Sequence, residues 1–99
     1  MRTSCLDCAR KHLAKACINM NEARLGYRDH KWLAIGHMSE AEDELLKEYQ
    51  GFALIIRDHR KAYEEDWEYS VPILELIRML TDEEEKSLLG EELQRDHQT

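Results

Sequence analysis

The stretch CLDCARKH, residues 5 to 12, holds the side chains best suited to chemistry in this chain. Cys5, Cys8 and His12 follow one another at intervals of three and four, so on a helix they lie along one narrow strip. Thiolate and imidazole donors suit zinc, which takes four ligands in a structural site. A lone Cys-x-x-Cys is a weak signal, however, and no βαβ pattern surrounds it to favour a redox role. The stretch therefore predicts a structural polar cluster first and a zinc site second.

Glu42 is the residue that the sequence offers to complete this cluster. It falls in the apolar stripe of the second predicted helix, where burying an unpaired carboxylate is costly. In an antiparallel hairpin that turns near Tyr27, Glu42 lies opposite His12. In the same register, Cys17 lies opposite His37. The zinc hypothesis takes Glu42 or His37 as the fourth ligand, and the alternative is a buried pair between His12 and Glu42.

A second group of candidate residues surrounds the start of the second predicted helix, in the stretch LGYRDHKWLAIGH. Backbone N–H groups at a helix N-terminus attract anions, cationic side chains add charge, and aromatic rings stack on bases. The alternative, which is the more common arrangement, is a hydrophobic turn whose aromatic rings pack and whose charges are solvated. The binding hypothesis is a small anionic, nucleotide-like ligand held by Tyr27, Arg28, His30, Lys31, Trp32 and His37.

Signals for catalysis are few. The histidines and the carboxylates of SEAEDE, residues 39 to 44, offer acid and base groups, but acidic helix faces are usually solvated. The chain has no Glu-x-x-His pattern of a di-iron protein, no His-Glu-x-x-His motif and no phosphate-binding loop. We therefore expect no enzymatic activity.

The elements that position these residues begin with a long helical hairpin. Apolar spacing predicts a first helix over residues 5 to 25, capped by Ser4 and stopped by Gly26. A second helix is predicted from residue 29 to about residue 62, and Gly51 is the place where it would bend or split. A short connection joins the two, so they should lie antiparallel.

Two shorter helices are predicted to follow. Ser70 caps the third, with Pro72 in its first turn, where the missing N–H costs nothing. Thr81 followed by Glu84 has the spacing of a capping box, which predicts a fourth helix through Leu93. The fold class is therefore all-α: a small helical bundle built on a long antiparallel hairpin plus two shorter helices.

Composition sets the broad class of the protein. The 99 residues are 42% hydrophobic and 35% charged, with four Gly and one Pro, which is typical of a single helical domain. We expect residues from about 95 to be a frayed tail. No apolar run approaches the ~18 residues of a membrane span, and no secretory signal precedes the first helix, so we expect a cytoplasmic protein. Three cysteines, an odd number, favour free thiols or metal ligands over a disulfide framework.

Charge and exposed apolar surface suggest two kinds of partner. The net charge is −7, yet residues 1 to 37 carry seven Lys or Arg and only three Asp or Glu. An acidic whole disfavours general DNA binding, whereas an acidic face could dock on a basic host protein, which is the main alternative to ligand binding. The apolar stretch from Ile73 to Leu80 has more surface than one small bundle can bury, so we expect a homodimer or a higher oligomer.

One resemblance covers residues 5 to 45. Cys-x-x-Cys-x-x-Lys-His, then Gly-Tyr, then Gly-His-x-x-Glu-Ala-Glu-x-Glu-Leu resembles a set of short uncharacterised proteins from phages and prophages. The resemblance implies a viral or mobile-element setting and brings no assigned activity or site residues. Small helical oligomers in that setting often act by binding, for example by sequestering a nucleotide signal or blocking a host protein.

Overall fold

Four helices and no strands make up the part of the chain that the computed structural model describes, which is the backbone of residues 5 to 98 and the side chains of residues 5 to 90. The all-α class predicted from the sequence is confirmed. None of the helices is long and apolar enough to cross a membrane. In chain order they are α1 (Leu6–Arg24), α2 (His30–Leu45), α3 (Gln50–Glu65) and α4 (Ile73–Gln98).

Helix α1 has the ends that the sequence predicted, within one residue. Gly26 follows its last turn with φ of +114°, a conformation that L side chains rarely adopt. The N–H of Gly26 donates to the carbonyl of Ala23, and the N–H of Tyr27 donates to the carbonyl of Glu22. These two bonds form a Schellman motif, which satisfies the last carbonyl groups of α1 and turns the chain toward α2. The predicted cap Ser4 lies outside the described residues.

The second predicted helix is two helices in the structure. Helix α2 ends at Leu45, and the chain leaves helical geometry at Tyr49, whose φ is −125° and ψ is 55°. Gly51, the residue expected to bend the helix, lies inside the first turn of α3. The break at residues 46 to 49 turns α3 back to pack against α2. The hairpin is therefore shorter than predicted, because packing between helices takes precedence over good local helix formers.

The third and fourth predicted helices are a single helix, α4. Thr81 does not cap a new helix: its hydroxyl donates to the carbonyl of Ile77, 3.0 Å away and one turn earlier. That bond requires helical backbone on both sides of Thr81. No Gly or Pro interrupts the chain between Ile73 and Leu89, so nothing in this stretch stops the helix. Helix α4 also continues past Leu93 to Gln98, and the frayed tail expected from about residue 95 stays a prediction.

Two contacts show that α4 runs antiparallel to α1. Near the end of α1, Arg24 Nη2 donates to Ser70 Oγ at 3.5 Å. The hydroxyl of Ser70, the predicted cap, thus accepts a hydrogen bond from α1. Near the start of α1, Arg10 forms an ion pair with Glu84. The two helices therefore pass each other from opposite ends, as neighbours do in an up-and-down bundle.

All four helices contribute to one apolar core. Leu13 and Met20 of α1 and Met38 and Leu45 of α2 are buried in this core. Among the side chains of α4 that the structure describes, up to residue 90, the buried ones lie in its first half, and residues 85 to 90 are exposed. The largest fully buried side chains are Leu13, Met38, Leu45, Ile56, Tyr63 and Leu80.

Candidate functional site

The two cysteines of the opening motif are joined to each other at the start of α1. Their Cα atoms are 5.2 Å apart, within the range of a disulfide, and the Sγ atoms are in bonding contact. Cys5 is also the N-cap of α1, since its sulfur accepts from the N–H of Cys8 at 3.1 Å. The extended backbone of Cys5 turns its side chain back toward the first helical turn, which brings the sulfurs together. The sequence favoured free thiols or metal ligands, whereas the structure pairs Cys5 with Cys8, and Cys17 is a free thiol.

Three ligand-type side chains meet where α1 and α2 pack together. His12 Nδ1 lies 3.3 Å from His37 Nδ1 and 3.0 Å from Glu40 Oε2. The two imidazole rings are stacked, with centroids 5.5 Å apart. One nitrogen, the Nδ1 of His12, thus has both other groups within hydrogen-bond distance. The ligand atoms of this cluster, called the His-His-Glu group below, all lie within 4.8 Å of one another.

Burial favours the neutral form of His37. Burial lowers the pKa of His37, the Glu40 carboxylate opposes that shift, and the nearby His12 and Lys15 side chains reinforce it. A neutral imidazole has one nitrogen lone pair free to accept a proton or a metal ion.

A second group of ligand atoms lies further along the same packed faces. Glu44 approaches Cys5 and Cys8, and their ligand atoms also lie within 4.8 Å of one another. The carboxylate that accompanies the cysteines is therefore Glu44, one helical turn beyond Glu40. Together with the His-His-Glu group, these residues form a line of six ligand-type side chains between α1 and α2.

Glu42, which the sequence assigned to this cluster, has a different partner. The residue is 7% exposed, and Arg60 of α3 binds both of its carboxylate oxygens, through Nε to Oε2 and through Nη2 to Oε1 at 3.3 Å. This contact also raises the pKa of Arg60, while burial opposes the rise. The buried Glu42 has a partner, as the sequence predicted. The partner is Arg60 and not the expected His12. The groups containing His12 and the cysteines do not include Glu42.

The hairpin register explains the difference. His12 faces His37, and Asn19 faces His30, whose Nδ1 donates to Asn19 Oδ1 at 2.8 Å. Both pairs are centred between residues 24 and 25, earlier in the chain than the turn that the sequence suggested. The Schellman turn brings the two helices together immediately after α1, and the shorter connection shifts each facing residue on α2 toward the N-terminus.

The spacing of residues in the sequence already indicated this line of six ligand-type side chains. Cys5, Cys8 and His12 are spaced by three and four residues, and so are the residues of α2 that face them. Equal spacing on two antiparallel helices places two matching strips face to face. The facing strip on α2 consists of His37, Glu40 and Glu44.

A cleft of about 320 Å³ lies between the start of α2 and the connection from α3 to α4. Three of the residues predicted to bind an anionic ligand, Arg28, Lys31 and Trp32, line it. Ala23 and Trp67 complete the lining. Lys31 Nζ lies 5.2 Å from the centre of the Trp32 ring, in the geometry of a cation–π contact. The cleft thus combines two cations with two indole rings.

The other predicted ligand residues are not among the residues that line the cleft. Tyr27 packs edge-on against the His30 ring, with centroids 6.1 Å apart. The His30 side chain is bonded to Asn19, and His37 belongs to the His-His-Glu group. Trp67, which was not assigned to the site from the sequence, comes from a connection distant in the chain, so local spacing held no signal for it.

Comparison with protein-family models, with curated proteins and with solved structures found no match for this chain.

Proposed function

We propose that this protein is a non-enzymatic binding protein that holds a small anionic ligand with an aromatic base, in the manner of a mononucleotide. The observation that carries the proposal is the cleft lined by Arg28, Lys31, Trp32 and Trp67. Its volume, about 320 Å³, is at the lower end of the range for small-molecule sites.

The two cations of the cleft supply the attraction for an anion. Among the described side chains, neither Arg28 nor Lys31 forms an ion pair with a carboxylate, whereas Arg10, Lys11 and Arg60 all do. Cations that are already paired contribute little to binding a new anion, because the ligand must displace the existing partner. Arg28 and Lys31 therefore have the charge that a phosphate group requires.

The two indole rings supply the aromatic surface. Trp32 is 67% exposed and Trp67 is 42% exposed, although tryptophan is highly buried on average. A planar base stacked on either ring would remove apolar surface from water, and base–aromatic stacking contributes about 1 to 3 kcal/mol in nucleic-acid-binding proteins. The Lys31 ammonium already lies over one face of Trp32, so we assign base stacking to Trp67 and phosphate binding to Lys31 and Arg28.

The backbone at the start of α2 has a smaller part in this proposal than the sequence suggested. The N–H groups of residues 30 to 32 already donate to carbonyl oxygens three residues earlier in the chain. They are consequently not free to donate to a phosphate group, and the anion depends on the two side chains.

A thermal-shift and calorimetric titration with AMP, ADP, ATP and cyclic nucleotides tests the proposal. A ligand that binds the native state raises the melting temperature, and the increase should shrink as salt rises because phosphate contacts are screened. Lys31→Ala should abolish the increase, whereas Lys47→Ala, an exposed lysine at the other end of α2, should not. No response to any of these nucleotides would reject the proposal.

The acidic docking module is a weaker proposal than ligand binding. Two carboxylates of the acidic stretch are used within the chain, since Glu40 lies against His12 and Glu42 binds Arg60. Asp43 of the same stretch is exposed. Charge reversal at Asp43 that weakened capture of a basic host protein would favour this alternative over the ligand proposal.

Self-association remains a prediction, and exposed leucines on α4 support it. Leu74 is 77% exposed, and Leu88 and Leu89 are more than half exposed. Sedimentation velocity on the wild type and on a Leu88→Gln, Leu89→Gln variant distinguishes a dimer that uses these residues from a monomer. The phage or mobile-element setting also remains a prediction.

A further inference from the structure

We propose that His12, His37 and Glu40 bind one divalent transition-metal ion of the zinc class between α1 and α2. This site differs from the zinc hypothesis drawn from the sequence, because two of its three ligands come from α2 and none is a cysteine. It is also independent of the ligand cleft at the start of α2.

The two donor–donor distances measured from His12 Nδ1 match a metal coordination sphere. In a tetrahedral zinc site with Zn–N bonds of about 2.0 to 2.1 Å, neighbouring donor atoms are about 3.3 Å apart. The two Nδ1 atoms of His12 and His37 are 3.3 Å apart, and His12 Nδ1 is 3.0 Å from Glu40 Oε2. All three ligand atoms lie within 4.8 Å of one another, so one ion beside His12 Nδ1 would reach all of them once the side chains of His37 and Glu40 move closer together.

When both imidazoles are neutral, the same three groups are poorly matched as a hydrogen-bond cluster. Each neutral imidazole carries one N–H, so the contact between two Nδ1 atoms needs a proton on one of them only. If the proton is on His12 Nδ1, one N–H must be shared between Glu40 and His37. If the proton is on His37 Nδ1, that N–H donates to His12, and the Glu40 carboxylate then faces the lone pair of His12 Nδ1. A cation removes this conflict because it accepts a lone pair from each of the three groups.

The composition and exposure of the group indicate what kind of ion it would hold. Two imidazoles and one carboxylate form the ligand set of many zinc sites that keep an open position for water. The Glu40 side chain is 60% exposed and the His12 side chain 25% exposed, so an ion from solution can enter on the Glu40 side. One water molecule would then complete a four-coordinate sphere.

The cysteine pair does not contribute to this site. Cys5 and Cys8 are joined to each other and belong, with Glu44, to a separate set of ligand atoms. We therefore expect metal binding to persist when both cysteines are replaced by serine.

Competition of Zn²⁺ between the purified protein and a chromophoric chelator tests the site. One equivalent should bind, and His37→Ala or Glu40→Gln should weaken binding at least about tenfold. His30→Ala is the matched control, because His30 pairs with Asn19 in the same helix–helix contact but faces no other ligand, and its affinity should stay within about twofold. Co²⁺ should give the visible absorption bands of a tetrahedral site in the wild type and lose them in Glu40→Gln.

Two results would overturn the proposal. Unchanged Zn²⁺ affinity in Glu40→Gln would show that the carboxylate is not a ligand, and this variant should fold because Glu40 is exposed. Loss of binding in the Cys5→Ser, Cys8→Ser variant, with the melting temperature of the metal-free protein unchanged, would assign the metal to thiolates instead.

Discussion

The two ends of the α1–α2 hairpin differ in whether their charged and polar side chains have partners within the chain. Along the helices, away from the turn, the groups face each other: His12 meets His37 and Glu40, and Glu42 meets Arg60. At the turn, Arg28 and Lys31 line a cleft without any carboxylate partner among the described side chains. Groups matched within the chain contribute to the fold, whereas unmatched ones are available to a ligand, so each end should respond to different measurements.

The largest effect should come from removing one partner of the buried ion pair. Glu42→Ala leaves the Arg60 guanidinium, which is 17% exposed, with only its second ion pair, to Glu64, and we expect a loss of about 2 to 3 kcal/mol in the free energy of unfolding. Urea denaturation followed by circular dichroism measures it.

A double replacement is the control for that loss. Glu42→Leu combined with Arg60→Met removes both charges and keeps apolar bulk, so most of the lost stability should return. If Glu42→Ala changed stability by less than about 0.5 kcal/mol, the pair would have to be treated as a surface contact.

At the turn, the corresponding change should affect binding and leave stability unchanged. Lys31→Ala removes a charge-assisted contact to the proposed phosphate, which we expect to cost about 1.5 to 3 kcal/mol of binding free energy. The free energy of unfolding should change by less than about 0.5 kcal/mol, because Lys31 makes no ion pair within the described chain. Isothermal titration calorimetry measures the binding effect, and urea denaturation of the same variant measures the stability effect. If Lys31→Ala lost as much stability as Glu42→Ala, the two ends of the hairpin would not differ as proposed.

The turn itself can be tested with two glycines that should respond in opposite directions. Gly26→Ala places a side chain at φ +114° and should cost about 1 to 2 kcal/mol of stability. Gly36→Ala lies inside α2, where an added Cβ would meet nothing within 4 Å, and should stabilise the protein by about 0.5 to 1 kcal/mol. Thermal unfolding of the two variants measures both signs, and equal shifts in one direction would contradict the Schellman turn.

The smallest effect should come from Tyr63, a buried residue whose hydroxyl finds no hydrogen-bond partner among the described groups. Tyr63→Phe removes that unsatisfied hydroxyl, so we expect stability at neutral pH to stay the same or rise by up to about 1 kcal/mol. Urea denaturation at neutral pH measures the change, and a loss above about 1 kcal/mol would indicate a partner for the hydroxyl.

The same residue predicts a difference at alkaline pH. Burial raises the pKa of Tyr63, although Arg24 lowers it slightly, so the unfolded chain releases this proton first. The free energy of unfolding should therefore be unaffected by this group below about pH 10 and should fall as pH rises above it. Tyr63→Phe has no phenol to ionise, so its stability should not show this fall. Thermal unfolding of both proteins from pH 9 to 11 compares them.

Local signals in the sequence were enough for some elements and insufficient for others. Gly26 has a conformational role that only its residue type can fill, so the end of α1 could be predicted closely. The break at residues 46 to 49 carries no Gly or Pro, and it depends on contacts between α2 and α3 that form only in the fold. Thr81 has the spacing of a cap, but its hydroxyl bonds backward within a helix that nothing else interrupts.

The same distinction holds for the candidate sites. Arg28, Lys31 and Trp32 lie within five consecutive residues, so their proximity could be predicted from spacing. Trp67 lies far from them in the sequence and reaches the cleft only in the folded chain, so local spacing could not predict it. An error of a few residues in the position of the turn was enough to exchange Glu40 and Glu44 for Glu42.

Helix α4 carries a consequence for amide hydrogen exchange. Its first half packs against α1 through Ile73, Leu76 and Leu80, whereas residues 85 to 90 are exposed along the same continuous helix. Backbone amides in the first half should exchange only when the bundle opens, and those of residues 85 to 90 should exchange through local fraying, many times faster. If chains associate through Leu88 and Leu89, protection of residues 85 to 90 should rise with protein concentration, so exchange rates along one helix would record assembly residue by residue.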